Sequence, residues 1–171
     1  LSSARRDAKR AACASNLRQI GVGLRTYLGA CNDVFPYASF MPSVGPLPVD
    51  GNAPIYIADA LARDVGHQEN VFQCPSDQTG STRPPPNAGK SFFKTERSSY
   101  EYRVQLGGTT IEEFARRGHD HGGPVTPMNS IWIFRDFFNF HAPLALPPPA
   151  PTPPGSRRYL YVDGHVTDFE S

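Results

Sequence analysis

No stretch of this chain comes near the roughly 20 consecutive apolar residues that carry a helix across a bilayer; the run Ile131 to Phe134 is only four residues long. Charge of one sign is not in excess either. Lys and Arg number 17 against 16 Asp and Glu, which argues against a protein that coats nucleic acid. Cysteine is scarce, at three, and no Cys-x-x-Cys or His-x-x-x-His pair supplies ready-made metal-ligand spacing. A glycine-rich phosphate loop, a Gly-x-Ser-x-Gly elbow and a His-Glu-x-x-His helix are all missing, so no familiar signature of nucleotide, serine-hydrolase or zinc-protease chemistry is present.

What is abundant is proline, 18 residues, beside 15 glycines, which predicts long irregular loops. The 171 residues suit one domain, 1–171, large enough to bury its own core. Three parts are expected within it: helix over 1–31, mixed short elements and loops over 37–129, and C-terminal strands over 130–171 interrupted by a proline-rich loop at 143–155. The chain starts at Leu1, not methionine, and reads as a piece processed or cut from something longer.

Residues 2–30 contain no proline, and Cys13, Leu17, Ile20, Leu24, Tyr27 and Cys31 recur at spacings of four and three. That is one face of an amphipathic helix. The first dozen residues are rich in alanine and charge (Arg5, Arg6, Lys9, Arg10) and have little to bury, so this part should protrude. Asn32-Asp33 and Phe35-Pro36 end the helix. A second, short helix is expected over Pro54–Val65, with proline suited to its first position. Val71–Cys74 is a short apolar run, and 78–97 reads as a polar loop. Ser99–Leu106 alternates as a half-buried strand, and Thr110–Arg117 reads as one or two helical turns. Ser130–Phe134 and Tyr159–Val162 are the clearest strands. Tyr159–Val162, Asp163-Gly164 and His165–Phe169 form a hairpin signature in which Asp-Gly fills a type I′ turn. Helix first and antiparallel sheet last make an α+β fold.

Asp163 beside His165 reads as a turn before it reads as an acid–base pair, because strand neighbours point to opposite faces. His119 and His121, flanking Asp120, could both face a metal if extended, which would make a metal-dependent enzyme using these three residues a further alternative, with Asp163 a weak extra metal candidate; a solvated loop is the plainer reading. Cys13 and Cys31 lie roughly 27 Å apart along one helix at 1.5 Å per residue, too far to be joined. Cys74 is left to pair with either one or with neither. The aromatics Tyr37, Phe40, Phe92, Phe93, Phe137 and Phe138 suggest an alternative role as an adhesin-like module for glycan or protein, although several of them must be core.

The stretches LSSARRDAKRAACASNLRQIGVGLRTYLGACNDVFP, FQCPSD, SSYEY and YLYVDGHV together resemble the bacterial type IV pilins and type II secretion pseudopilins. They are most similar to the pilin-like branch with a prepilin-type methylation signal and a C-terminal Asp-Gly-His-Val hairpin. The resemblance implies a pilin-like fold, a long helix laid across an antiparallel sheet, and a non-enzymatic structural subunit of a secretion or pilus filament with no cofactor. It implies a cleaved basic leader and an apolar membrane helix upstream of Leu1, anchorage in the inner membrane with the head in the periplasm, or a place in an extracellular filament. Partners would be other pilin or pseudopilin subunits and the secretion machinery. The same resemblance places paired cysteines at Cys13 and Cys74. It also raises calcium, as in some major pseudopilins, with Asp163, Asp168 and Glu170 at hand. In relatives a histidine stands closer to the final Asp-Gly than His141, which is 22 residues before Asp163.

Overall fold

The computed structural model describes residues 2–45, 53–78, 85–120, 126–141 and 157–168, with backbone alone for 2 and 118–120. The expected proline-rich loop at 143–155, the side chain of His119, and residues His121, Phe169 and Glu170 lie outside the described residues.

A single uninterrupted helix, α1 (Ser2–Ala30), opens the chain. Cys13, Leu17, Ile20 and Leu24 are at most 1 % exposed, so the stripe read from the spacing is the face that packs. Burying Leu17, Ile20 and Leu24 contributes about 1.5–3 kcal/mol each. Residues 3–8 are exposed, and the first buried residue is Cys13. The helix stops where Asn32 and Asp33 take left-handed φ values of 52° and 59°, a conformation that Asn and Asp tolerate better than most residues. There the Asp33 N–H donates back to the Leu28 carbonyl at 2.9 Å. Gly23 permits a close crossing: a Cβ there would sit 2.6 Å from Val65 Cγ1 and 3.2 Å from the Asp64 carbonyl oxygen.

The middle of the chain is made of short pieces. Of the helix expected over 54–65, only α2 (Ile57–Ala60) is α-helical. Hydrogen-bonded turns continue to Gly66, and Ile57, Ala58 and Leu61 are buried together. The apolar run before Cys74 is a 3-10 turn, Glu69–Phe72, that inserts Val71 and Phe72 into the core. The loop expected over 78–97 contains a helix, α3 (Phe92–Glu96). Its first turn is held from outside: the Asp77 carboxylate accepts from the Phe92 and Phe93 N–H groups at 3.1 and 2.8 Å, and Ser91 Oγ accepts from Lys94 N–H at 3.2 Å. The turns expected at 110–117 extend as α4 (Ile111–Asp120). Thr110 and Glu113 cap it reciprocally, at 2.8 and 3.2 Å, as a capping box does.

Four strands form one antiparallel sheet in the order β1-β2-β3-β4: β1 (Tyr100–Tyr102), β2 (Trp132–Asp136), β3 (Tyr159–Tyr161) and β4 (Val166–Thr167). The α+β architecture therefore stands, with α1 lying against β3 and β4. Two strands differ from expectation. β1 is shorter than Ser99–Leu106 because the chain turns into a 3-10 segment at Val104–Leu106. β2 runs two residues further than Ser130–Phe134 and starts later. Its charged end is accepted because Arg135 bonds Glu101 across the sheet at 2.7 and 3.1 Å, and Asp136 meets His141 and the Arg158 N–H. In register, Tyr100 faces Asp136 and Tyr102 faces Phe134, while Leu160 lies opposite Phe134 and Val166.

The final turn is not type I′. Gly164 N–H donates to the Tyr161 carbonyl at 2.9 Å, and Tyr161 N–H to the His165 carbonyl at 3.0 Å. The loop is therefore three residues, Val162 to Gly164. Only Gly164 has positive φ, at 90°, the arrangement of a tight turn closed by a glycine bulge.

Candidate functional site

Two places gather polar chemistry against α1: the hairpin tip beside its C-terminal half, and a buried group beside Cys13.

At the tip, Arg25 Nη2 donates to the Asp163 carbonyl at 2.6 Å. Asp163 Oδ1 accepts the His165 backbone N–H at 3.0 Å and meets His165 Nδ1 at 2.5 Å. These bonds, the backbone one foremost, hold the Asp163 carboxyl below the usual carboxylate range. The opposite-face expectation for Asp163 and His165 fails because Asp163 lies in the turn, where strand alternation does not apply. The His165 ring stacks on Tyr161, centroids 4.3 Å apart. Both Asp163 and His165 are largely open to water, and the bonds close on each other, as a turn-stabilising pair does. Beside them a cleft of about 240 Å³ runs between α1 and the hairpin, with Arg25, Asp33 and Glu112 as its charged lining and Leu24, Phe35 and Leu160 among its apolar walls.

Near the other end of the buried stripe, Cys13 and Cys74 are joined by a disulfide that closes over 61 residues. Asn16 Nδ2 donates to the Gln73 carbonyl at 2.8 Å beside it, and the Tyr100 hydroxyl to the Cys13 carbonyl at 3.4 Å. Cys31 is free and half-buried. His141 Nε2 approaches Cys74 Sγ to 3.9 Å and Asp136 Oδ2 to 3.4 Å. Asp136 Oδ2 also accepts the Arg158 backbone N–H at 2.8 Å. Burial drives the Asp136 carboxyl above the ordinary range, and the bonds from His141 and Arg158 only partly oppose it. Burial likewise raises the neighbouring Tyr100 hydroxyl, with the Asp136 charge adding to the effect.

Among the described residues, the one group of three close ligand-type side chains is Cys13, Cys74 and His141. Asp163 is in no such group, nor is Asp168, whose carboxylate takes Arg10 at 3.3 Å and Arg158 at 2.8 Å. Arg10 thus leaves the free basic stretch and ties α1 to β4. Of the aromatic candidates, Phe92 is buried and stacks on Phe137 at 4.9 Å and against Phe140 at 6.0 Å. Tyr37 and Phe40 are exposed, and Phe138 is at the border. The Asp136–His141 pair was not singled out from the sequence: the two residues carry no motif, and only folding brings them to Cys74.

Among the described residues, no helix is long and apolar enough to cross a membrane. Comparison with protein-family models, with curated proteins and with solved structures gave no match.

Proposed function

We propose that this chain is the head domain of a pilin-like or pseudopilin-like subunit, with a structural role in a secretion or pilus filament and no catalytic one. The observation that carries the reading is the division of α1. One unbroken helix, Ser2–Ala30, is fastened to the head from Arg10 to Arg25, while its first turns carry exposed Arg5 and Arg6. A helix that only folded a small domain has no need of polar turns projecting from it. A helix that joins a head to something else does. On this reading the segment upstream of Leu1 is apolar, bundles with copies of itself, and sits in the inner membrane. The basic turns then lie near anionic lipid heads or a neighbouring subunit, and the sheet edge and middle loops face outward from the filament axis.

The test is the full-length protein as encoded. Carbonate-resistant recovery in the membrane fraction is expected, together with multimers trapped by cross-linking through cysteines placed at Arg5 or Lys9. A full-length protein recovered wholly in the soluble fraction, with no cross-linked multimers, rejects the proposal. The exposed Tyr37 and Phe40, 68 % and 47 % accessible, favour a second reading in which the head binds glycan or protein. Glycan-array binding lost in Tyr37→Ala and Phe40→Ala is its expected result.

A further inference from the structure

Three donor atoms, the sulfurs of Cys13 and Cys74 and a ring nitrogen of His141, lie within 4.8 Å of one another in the core. The side chains of His141 and Asp136 are wholly buried, yet His141 Nδ1 and Asp136 Oδ1 have no hydrogen-bond partner among the described residues. Leaving a buried polar atom unpaired carries its full desolvation cost. The Arg158 N–H uses Asp136 Oδ2 alone, which leaves Oδ1 and His141 Nδ1 without a partner among the described residues. While the disulfide is closed, its sulfurs are poor ligands. Once it is opened, each becomes a thiolate, the form in which cysteine binds metal.

We propose that the reduced chain holds a zinc ion on Cys13 Sγ, Cys74 Sγ and His141 Nε2, with the Asp136 carboxylate, which lies beside His141 but outside that close group, moving in as the fourth ligand. Two thiolates, an imidazole and a carboxylate match the borderline preference of zinc, whereas a hard carboxylate disfavours copper(I). Asp136 Oδ2 already lies on the Nε2 side of His141, 3.4 Å away. The Cα atoms of the cysteines, 5.0 Å apart, leave the sulfurs free to separate by side-chain rotation to the roughly 3.8 Å edge of a tetrahedron with Zn–S near 2.3 Å. The conversion needs a dithiol reductant. Its thiolate attacks one cystine sulfur to form a mixed disulfide, and its second thiol resolves that bond. The reductant leaves as its own disulfide, and Cys13 and Cys74 remain as thiols. Zinc then displaces their two protons without changing oxidation state. Both sulfurs are buried, so the exchange proceeds through local opening or before the core closes. A covalent clasp between α1 and the Cys74 segment is thereby replaced by a metal clasp at the same point.

The experiment titrates the whole chain, carrying Cys31→Ser, with Co²⁺ under anaerobic conditions after reduction by a phosphine. One equivalent of Co²⁺ is expected to give near-ultraviolet thiolate charge-transfer bands and intense tetrahedral visible bands. Zn²⁺ should displace it, and native mass spectrometry should show one zinc. The oxidised chain should show neither band. His141→Ala should weaken binding by at least about ten-fold, in the range seen when metal-site partners are lost, while the oxidised variant keeps its thermal transition. If oxidised His141→Ala does not fold, His141→Gln takes its place. Two results overturn the proposal. One is a reduced chain, folded or unfolded, that shows no such bands and regains no near-ultraviolet dichroism with Zn²⁺. The other is binding left unchanged by the His141 variant.

Discussion

Arg25, in the second half of α1, reaches the Asp163 carbonyl with its Nη2 at 2.6 Å, 138 residues further along the chain. The contact depends on the residue that follows. A Cβ on Gly164 would come within 2.2 Å of that same Nη2, and Gly164 has φ 90°. Gly164→Ala therefore both strains the turn and evicts the guanidinium. A loss of about 1–3 kcal/mol in urea unfolding is expected. Arg25→Ala should cost less, about 0.5–1.5 kcal/mol, because the bond is exposed. A double-mutant cycle should show the two changes coupled, and an unaltered midpoint for Gly164→Ala would contradict the geometry.

Leu17 is fully buried and Val22, five residues on, is 64 % exposed. Leu17→Ala should lower stability by about 2–5 kcal/mol, and Val22→Ala should stay within about 0.5 kcal/mol. Thermal unfolding of the two variants side by side is the check; equal losses would mean that the stripe does not carry the packing.

The Cys13–Cys74 bond spans 61 positions. Loop-closure entropy for a ring of that size gives about 4 kcal/mol. The Cys13→Ala, Cys74→Ala double variant, studied without metal, should fall by about that amount in denaturant unfolding. A much smaller loss would mean that the unfolded chain is already compact around this segment.

Asp136 is expected to shape the pH dependence of stability. Its folded carboxyl titrates above the ordinary value. The folded state therefore holds its proton more tightly than the unfolded state, and stability from this group is present at low pH and lost as pH rises through the folded value. Asp136→Asn removes that loss while keeping an acceptor for the Arg158 N–H. The stability difference, variant minus wild type, should grow from pH 4 to pH 8 in urea titrations. The groups facing the carboxyl are His141, Tyr100, and both the backbone N–H and the charge of Arg158. A difference that shrinks with pH would show that the charged His141–Asp136 pair outweighs burial.

The parts of the fold legible in the sequence are those fixed by local pattern. The four-and-three spacing of Cys13, Leu17, Ile20 and Leu24 announces α1, and Asp163-Gly164 between two apolar runs announces the last hairpin. The misses have physical causes. α3 hides in a polar stretch because its N-terminus is satisfied by Asp77, some 15 residues away in sequence. β2 absorbs Arg135 and Asp136 because Glu101 and His141 wait across the fold. The turn type was misread because Asp-Gly serves both a two-residue loop and a three-residue loop with a glycine bulge, and only the strand register selects between them. The buried Asp136–His141 pair left no local trace, since its meaning lies in the proximity of Cys74.

The placement of the disulfide sets how tension would travel. A pull on the amino end of α1 first meets the partly exposed Arg10–Asp168 ion pair and then Cys13, before Leu17, Ile20 or Leu24. From Cys13 the load crosses to Cys74, whose N–H is held by Ser99 Oγ at 3.0 Å. Ser99 is anchored in turn to Asp77 at 2.7 Å and leads directly into β1. Beyond that ion pair, force applied to the rod enters the sheet at edge strand β1 through a covalent bridge.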